Sequence, residues 1–253
     1  MDTPGTMHQR LSPLVNYLSQ ALGHSITLVL SPNMSATVDA LIDQQVDLAY
    51  LTPVAYLRTR EQIDATVLAK ALTQQQGTFR LAIISRNDSA IATPTDLKGR
   101  RFALGDREAL LQRATLHLAG LAFEDFSEYA FLNHRDNVIR AVLHGQYDGG
   151  IVSETTAHQW REHGIRIIST SPELPSFNIT AAPSLDESTR KRLRAALLAL
   201  DISHPGQRAI IKALDAEYTG FGPADDSDYN IIRTMITLFD QNPLPLQQNR
   251  RQP

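Results

Sequence analysis

Apolar residues along the chain alternate between two periods. Leu11, Leu14, Val15, Leu18 and Leu22 recur at helical spacing and predict a helix over 8–22, closed by Gly23. Pro13 falls near its first turn in this reading, where a missing N–H costs little. Ser25 to Leu30 alternates and then runs apolar, which predicts a strand. Ala36, Val38, Ala40 and Leu41 place a helix over 35–42, and Val46 to Leu51 reads as a second, buried strand. Thr52-Pro53 has the form of an N-cap with proline at the first helical position, opening a helix through Tyr56. Strands at 66–72 and 79–85, a loop at 87–93 and one helical turn at 94–99 follow.

From Gly99 to Leu121 the period changes within a few residues. Arg101 to Leu104 suits a buried strand, Gly105-Asp106 breaks it, and Leu110, Leu111, Ala114, Leu118 and Leu121 fall at helical spacing from Arg107 onward. The first N–H groups of a helix have no partner inside it and lie at the positive end of its dipole. Such a turn is an ordinary βα junction or a seat for an oxyanion. Beyond it come a strand at 128–132, a helix at 134–144 closed by Gly145, and a strand at 147–152 containing Asp148-Gly149-Gly150. Ser153 caps a helix at 154–163; a strand at 165–169, a proline-bounded linker at 171–175 and a strand at 177–181 come next. From Asp186 the chain reads as helical, ending in a helix at 227–239 and a frayed tail at 242–253.

Strands alternating with helices predict an α/β fold with parallel sheets covered on both faces. The middle block holds a complete βαβαβα set. The expected organisation is therefore one lobe from 1–86 and 171–253 and a second from 87–170, joined by two crossing segments near Ser85 and Ser171. The strand-to-helix junctions at Thr52, Asp106 and Ser153 are then expected to face a ligand cleft at the carboxyl ends of the strands.

Composition narrows the chemistry. A net charge of -3 over 253 residues gives no case for nucleic acid. The run Arg190, Lys191, Arg192 and Arg194 lies largely opposite the stripe Leu193, Ala196, Leu197 and Leu200, and with no interleaved aromatics it reads as a solvated helix face. With no cysteine there is no disulfide, thiolate metal site or thiol nucleophile. No GxSxG, HExxH, GxxxxGK[ST] or strand-following GxGxxG is present, so an enzyme ranks last, and neither cofactor nor metal is expected. Asp225, Asp226 and Asp228 resemble part of a calcium loop but lack its spacing and closing glutamate. Asp148 reads as a turn or capping residue, and Tyr50 suits a core as well as a cleft wall.

The segments LSPLVNYLSQALG, QQVDLAYLTPVAY, TPTDLKGRRFALGD, VIRAVLHGQYDGGIV, STSPELPSFNI and YTGFGPADDSDYNIIRTM span most of the chain. They resemble the phosphate/phosphite/phosphonate family of ABC-transporter substrate-binding proteins, which have the type II periplasmic-binding-protein fold. The resemblance implies two lobes closing on a small oxyanion-like ligand, a periplasmic location, and an inner-membrane ABC permease or a separate sensor kinase as partner of a monomeric receptor. Carried over position by position, Tyr50 and Thr52 match the wall and helix start of the first lobe. Phe79 and Arg80 match an aromatic residue followed by a polar contact. His134 matches a ligand-side histidine region, with helix capping as the alternative, and Ser153 and Glu154 follow the DxG strand. Asp106, Arg107 and Ala109 lie at the helix start that cradles the oxyanion.

Two departures shape the expectation. Where phosphonate binders carry a Ser-Thr-Ser run, this chain has Ala109, Leu110 and Leu111, with Glu108 beside them. Each lost hydroxyl costs a buried ligand oxygen about 1–3 kcal/mol. The ligand is expected to be larger or less charged than phosphate, held partly by Arg80 or Arg107 and by exposed amide N–H groups. The second departure is at the start: the resemblance leads one to expect, upstream of the sequence as given, the strand that opens the family's first lobe and a secretion signal. A chain extended upstream is expected to be more stable, because the empty strand slot leaves backbone groups unpaired.

Overall fold

The computed structural model describes residues 4–105 and 110–241. Along the chain run α1 (Pro4–Leu22), α2 (Met34–Ile42), β1 (Leu48–Leu51), α3 (Pro53–Arg60), β2 (Thr66–Thr73), β3 (Thr78–Phe79), β4 (Leu81–Arg86), β5 (Arg101–Leu104), α4 (Leu110–Leu118) and β6 (Glu128–Phe131). They continue with α5 (Arg135–Leu143), β7 (Gly149–Ser153), α6 (Glu154–Gln159), β8 (Ile165–Thr170), β9 (Leu174–Pro175), β10 (Asn178–Ala181), α7 (Glu187–Leu198), α8 (Pro205–Leu214), β11 (Tyr218–Gly222) and α9 (Asn230–Gln241). Two compact units emerge: the chain up to Phe79 with Glu173–Asn230, and Arg80–Pro172 with the chain from Ile231.

This division differs from the expected lobes at each border. β4 was expected in the first lobe up to residue 86, but it is hydrogen-bonded between β7 and β8 and belongs to the second unit. The C-terminal helix also leaves the first unit. Ile232 and Met235 are buried, and the Phe239 ring meets His117 of α4 edge-on at 6.3 Å. The chain therefore passes between units at 79/80, 172/173 and 230/231, where two crossings were expected.

In the first unit the sheet order is β1-β10-β2-β11, and each neighbouring pair is antiparallel, which corrects the expectation of a parallel sheet. β10 arrives from over a hundred residues away and lies between β1 and β2, so no strand here pairs with its neighbour in sequence. Ala69 and Ala71 of β2 and Ile179 and Ala181 of β10, two residues apart and so on one face, pack with Leu14 and Leu18 of α1, Leu193 and Leu197 of α7 and Ile211 of α8. α1 begins at Pro4, so Pro13 is interior rather than near the first turn; the proline ring there removes one helical hydrogen bond. Ser25–Leu30 keeps its alternation, with Ile26, Leu28 and Leu30 half-buried and Thr27 and Val29 exposed. It is nevertheless not a strand, because β1 is the sheet edge and pairs with β10 only. The region read as helical from Asp186 contains a strand, β11.

The basic run on α7 is more than a solvated face. Arg192 donates to the carbonyls of Ala21 and Leu22 at the end of α1, and Arg194 to those of Leu68 and Ala224. These guanidinium groups satisfy carbonyls that a helix end and a strand leave open.

The second unit holds the order β6-β5-β7-β4-β8. β6, β5 and β7 are parallel, as consecutive βα units require, and β4 is antiparallel to both its neighbours. Gly150 lets α5 approach: a Cβ there would lie 2.7 Å from Val138 Cγ1 and 3.2 Å from the Ala103 carbonyl. Asp148 serves the turn. Its carboxylate accepts from the Arg101 amide at 2.9 Å and from Arg101 Nε at 3.2 Å. Burial alone would raise this carboxyl, but the Arg101 hydrogen bonds and charge hold it below the usual value.

Candidate functional site

One end of the second unit's sheet gathers residues from widely separated parts of the chain. The register pairs Leu104 with Phe131, Ala103 with Gly150, Leu81 with Ser153 and Ala82 with Thr170. The carboxyl ends of β6, β5, β7 and β8 and the amino end of β4 thus lie together. Leu132–His134, Gly105, Ser153–Glu154, Arg80 and Ser171 sit at this one end. Asp106, Arg107 and Ala109, expected at the oxyanion cradle, lie outside the described residues.

Arg80 places a cation at this end. Its carbonyl accepts the Glu154 amide at 2.8 Å, and its Nη1 donates to the Ser171 carbonyl at 3.3 Å. Nε lies 4.0 Å from the Glu154 carboxylate, and 39% of the side chain is exposed. Ser171 is buried, and its hydroxyl accepts the Leu81 amide and donates to the Pro172 carbonyl. Ser153 is the N-cap of α6; its Oγ accepts the Thr156 amide at 3.2 Å and pairs with the Thr156 hydroxyl at 2.7 Å. His134 caps α5 by accepting the Asp136 amide on Nδ1 at 3.3 Å, with its ring largely exposed.

The Gly105 amide is not free. It donates to Gln112 Oε1 at 3.1 Å, while the first-turn amides expected to hold an anion lie outside the described residues. Leu111 is buried in α4 and Leu110 is half-buried, so the first described turn of that helix offers no hydroxyl. Asn133 takes a left-handed conformation (φ 63°) just before His134. Asparagine tolerates that region better than most residues.

In the first unit, Thr52 caps α3 as expected, its Oγ1 accepting the Ala55 amide at 3.1 Å with Pro53 in the first turn. Leu51, Asn178, Lys70 and Gly222 form one row across the sheet at the end of β1. Tyr50 lies one residue before this row and is engaged: its hydroxyl bonds that of Tyr218 at 2.6 Å and its ring stacks on Phe177 at 5.1 Å. Burial pushes the Tyr50 phenol well above its usual range and that of Tyr218 up to about 12. Lys70 pairs with Asp228 at 2.9 Å, and the Tyr56 hydroxyl donates to Asp226 at 2.8 Å. Asp225 caps the following turn by accepting the Ser227 amide. The acidic run is thus spent on pairing and capping, and among the described residues no group of acidic and histidine side chains is arranged to hold a metal ion. Phe79 is half-buried in a short antiparallel pair with Leu174.

Gln112, Ser171, Lys70 and Asn178 were not expected at these ends. Gln112 alone had a local signal, a polar residue two helical turns past a glycine break.

The sequence profile of a family described as "ABC transporter, phosphonate, periplasmic substrate-binding protein" matches residues 1–229. The chain belongs to this family. Its function at that level is solute binding for an ABC-type uptake system, and the family description is that of a transport receptor rather than an enzyme or a kinase-coupled sensor. Among solved structures, XAC2383 from Xanthomonas citri bound to ATP is 19% identical with a TM-score of 0.77, covering 92% of this chain and 94% of its own. PhnD1 from Prochlorococcus marinus in complex with methylphosphonate is 19% identical with a TM-score of 0.76, covering 95% of both chains. The periplasmic aliphatic sulphonate binding protein SsuA from Escherichia coli is 17% identical with a TM-score of 0.63, covering 96% of this chain and 91% of its own. These likenesses give the type II periplasmic-binding-protein fold. Among the described residues no helix is long and apolar enough to cross a membrane.

Proposed function

We propose that the chain captures a phosphonate or phosphate ester in the periplasm as a monomer and hands it to an inner-membrane permease. The oxyanion is held at the sheet end of the second unit, by Arg80, Ser153 and His134, with Asp106, Arg107 and Ala109 following Gly105 in the chain. The observation that carries this reading is the convergence of Arg80, Ser153, Glu154 and His134 on one sheet end, with the Arg80 side chain 39% exposed. Leucines in place of hydroxyls favour an ester or a larger phosphonate over inorganic phosphate. A calorimetric titration tests it. Butylphosphonate is expected to bind more tightly than inorganic phosphate, and Arg80→Ala to weaken binding by roughly tenfold or more, the worth of one charge-assisted hydrogen bond. Tight binding of inorganic phosphate, or an Arg80→Ala variant with unchanged affinity, would overturn it.

A further inference from the structure

Glu154 stands at the proposed site with its acceptor capacity unused. Its amide donates to the Arg80 carbonyl at 2.8 Å, which fixes the two residues side by side. Its carboxylate oxygens lie 4.0 Å from Arg80 Nε and 3.8 Å from His158 Nε2, and the side chain is about a third exposed. Among the described residues no hydrogen bond within 3.5 Å reaches that carboxylate. Arg80 has a separate partner in the Ser171 carbonyl. A ligand oxygen placed on the guanidinium therefore arrives beside an acceptor whose lone pairs are open.

We infer that Glu154 is a specificity-determining residue that admits oxyanions carrying an acidic O–H and turns away those with acceptor oxygens only. The inference rests on the proposed function. An ionised carboxylate only accepts hydrogen bonds. A sulfonate is fully ionised at neutral pH and likewise only accepts, so the two face each other with unrelieved repulsion. A singly protonated phosphonate or phosphate monoester gives one oxygen to Arg80 and donates its O–H to Glu154, making a short charge-assisted bond. A site built to pair a ligand hydroxyl rejects the analogue that lacks it, because the protein group is left without a partner. A doubly ionised phosphonate has the same defect as a sulfonate, so the singly protonated form is the one selected.

The test is a matched pair, butylphosphonate and butanesulfonate, titrated calorimetrically near neutral pH against wild type, Glu154→Gln and Glu154→Ala. Wild type is expected to prefer the phosphonate by at least about tenfold. In Glu154→Gln the side-chain amide can donate to an acceptor-only oxygen, so the sulfonate tightens and the preference falls by about tenfold. Glu154→Ala, with neither repulsion nor donor, is expected between the two. A merely structural role would weaken both ligands alike and leave the ratio unmoved. Equal affinities in wild type, or a ratio unchanged in Glu154→Gln, overturn the inference alone. Failure of both ligands to bind wild type removes the proposed function and this inference with it.

Discussion

The two sheets are built by different rules from similar-looking sequence. In the second unit β5, α4, β6, α5 and β7 follow one another as βα repeats, and their strands lie parallel side by side. In the first unit α2, β1, α3 and β2 have the same local alternation, yet β10 lies between the strands and turns each pairing antiparallel. Alternation along the chain reports how strands are connected, not which strand ends up beside which. The ends differ as well. In the first unit Tyr50, Tyr56 and Lys70 are tied to Tyr218, Asp226 and Asp228. In the second, Arg80, His134 and Glu154 keep much of their surface exposed.

The largest test of this contrast is a cavity on one side of it. Phe102 is fully buried in β5 and stacks on Phe126 at 4.6 Å with the rings 9° from parallel. Phe102→Ala is expected to cost about 3–5 kcal/mol in urea unfolding. Hydrogen exchange is expected to show the loss in β5, β6 and β7, with β2 and β10 still protected. Uniform loss across both sheets would mean that the units unfold as one. Overpacking comes next in size. Gly150→Ala drives a methyl into Val138 and the Ala103 carbonyl and is expected to cost about 1–3 kcal/mol. The substitution Gly206→Ala, whose Cβ meets nothing within 4 Å, is the matched control and is expected to be neutral or stabilising.

Acid and alkali are expected to press on different parts. The folded Asp148 carboxyl lies below its unfolded value of about 3.9, so the stability it supplies is present above that pH and drains as the pH falls below it. The Tyr218 phenol is raised to about 12 and Tyr50 is also raised, so their contribution is intact below about 10, the unfolded value, and is lost as the pH climbs through about 12. Asp148→Asn is expected to flatten the acid side of a stability–pH curve and leave the alkaline side in place. An acid limb of unchanged slope in that variant would remove Asp148 from the account.

Legibility followed the same division. The strand at 101–104, the caps at Thr52, His134 and Ser153, and the turn role of Asp148 depend on residues within a few positions, or on consecutive βα units, and they were readable from local pattern. β11 was not. Its sequence carries Gly220 (φ 150°) and Gly222, residues that weaken a strand signal. A Cβ at Gly222 would lie 2.8 Å from Leu72 Cδ2 on the neighbouring strand, a contact visible only once the pair is formed. Ser25–Leu30 failed in the opposite sense, with a strand's alternation and no ladder to join. At the site, Ser171, Lys70 and Asn178 escaped notice because long-range pairing brings them to their sheet ends.

The smallest expected effect lies in the first unit, at the turn after β2. Thr73 and Gln76 bridge, and the two residues between them, Gln74 and Gln75, have φ of 52° and 65°. Positive φ at both central positions is the type I′ turn, whose twist suits a tight hairpin and whose usual residues are Asn-Gly. A glutamine has a Cβ that crowds the carbonyl in this region, at about 1–2 kcal/mol per residue. Both side chains are exposed, so little packing is lost on replacing them, and the Gln75 amide keeps its bond to Thr219 Oγ1 at 3.0 Å whatever the side chain. Gln75→Gly is expected to stabilise by about 1 kcal/mol, the relieved strain offset partly by the greater freedom of glycine in the unfolded chain. The check is a higher urea midpoint at unchanged slope. A lower midpoint would show that the glutamines contribute contacts outweighing their strain, and that the first unit's turns, like its sheet, are set by partners distant in sequence.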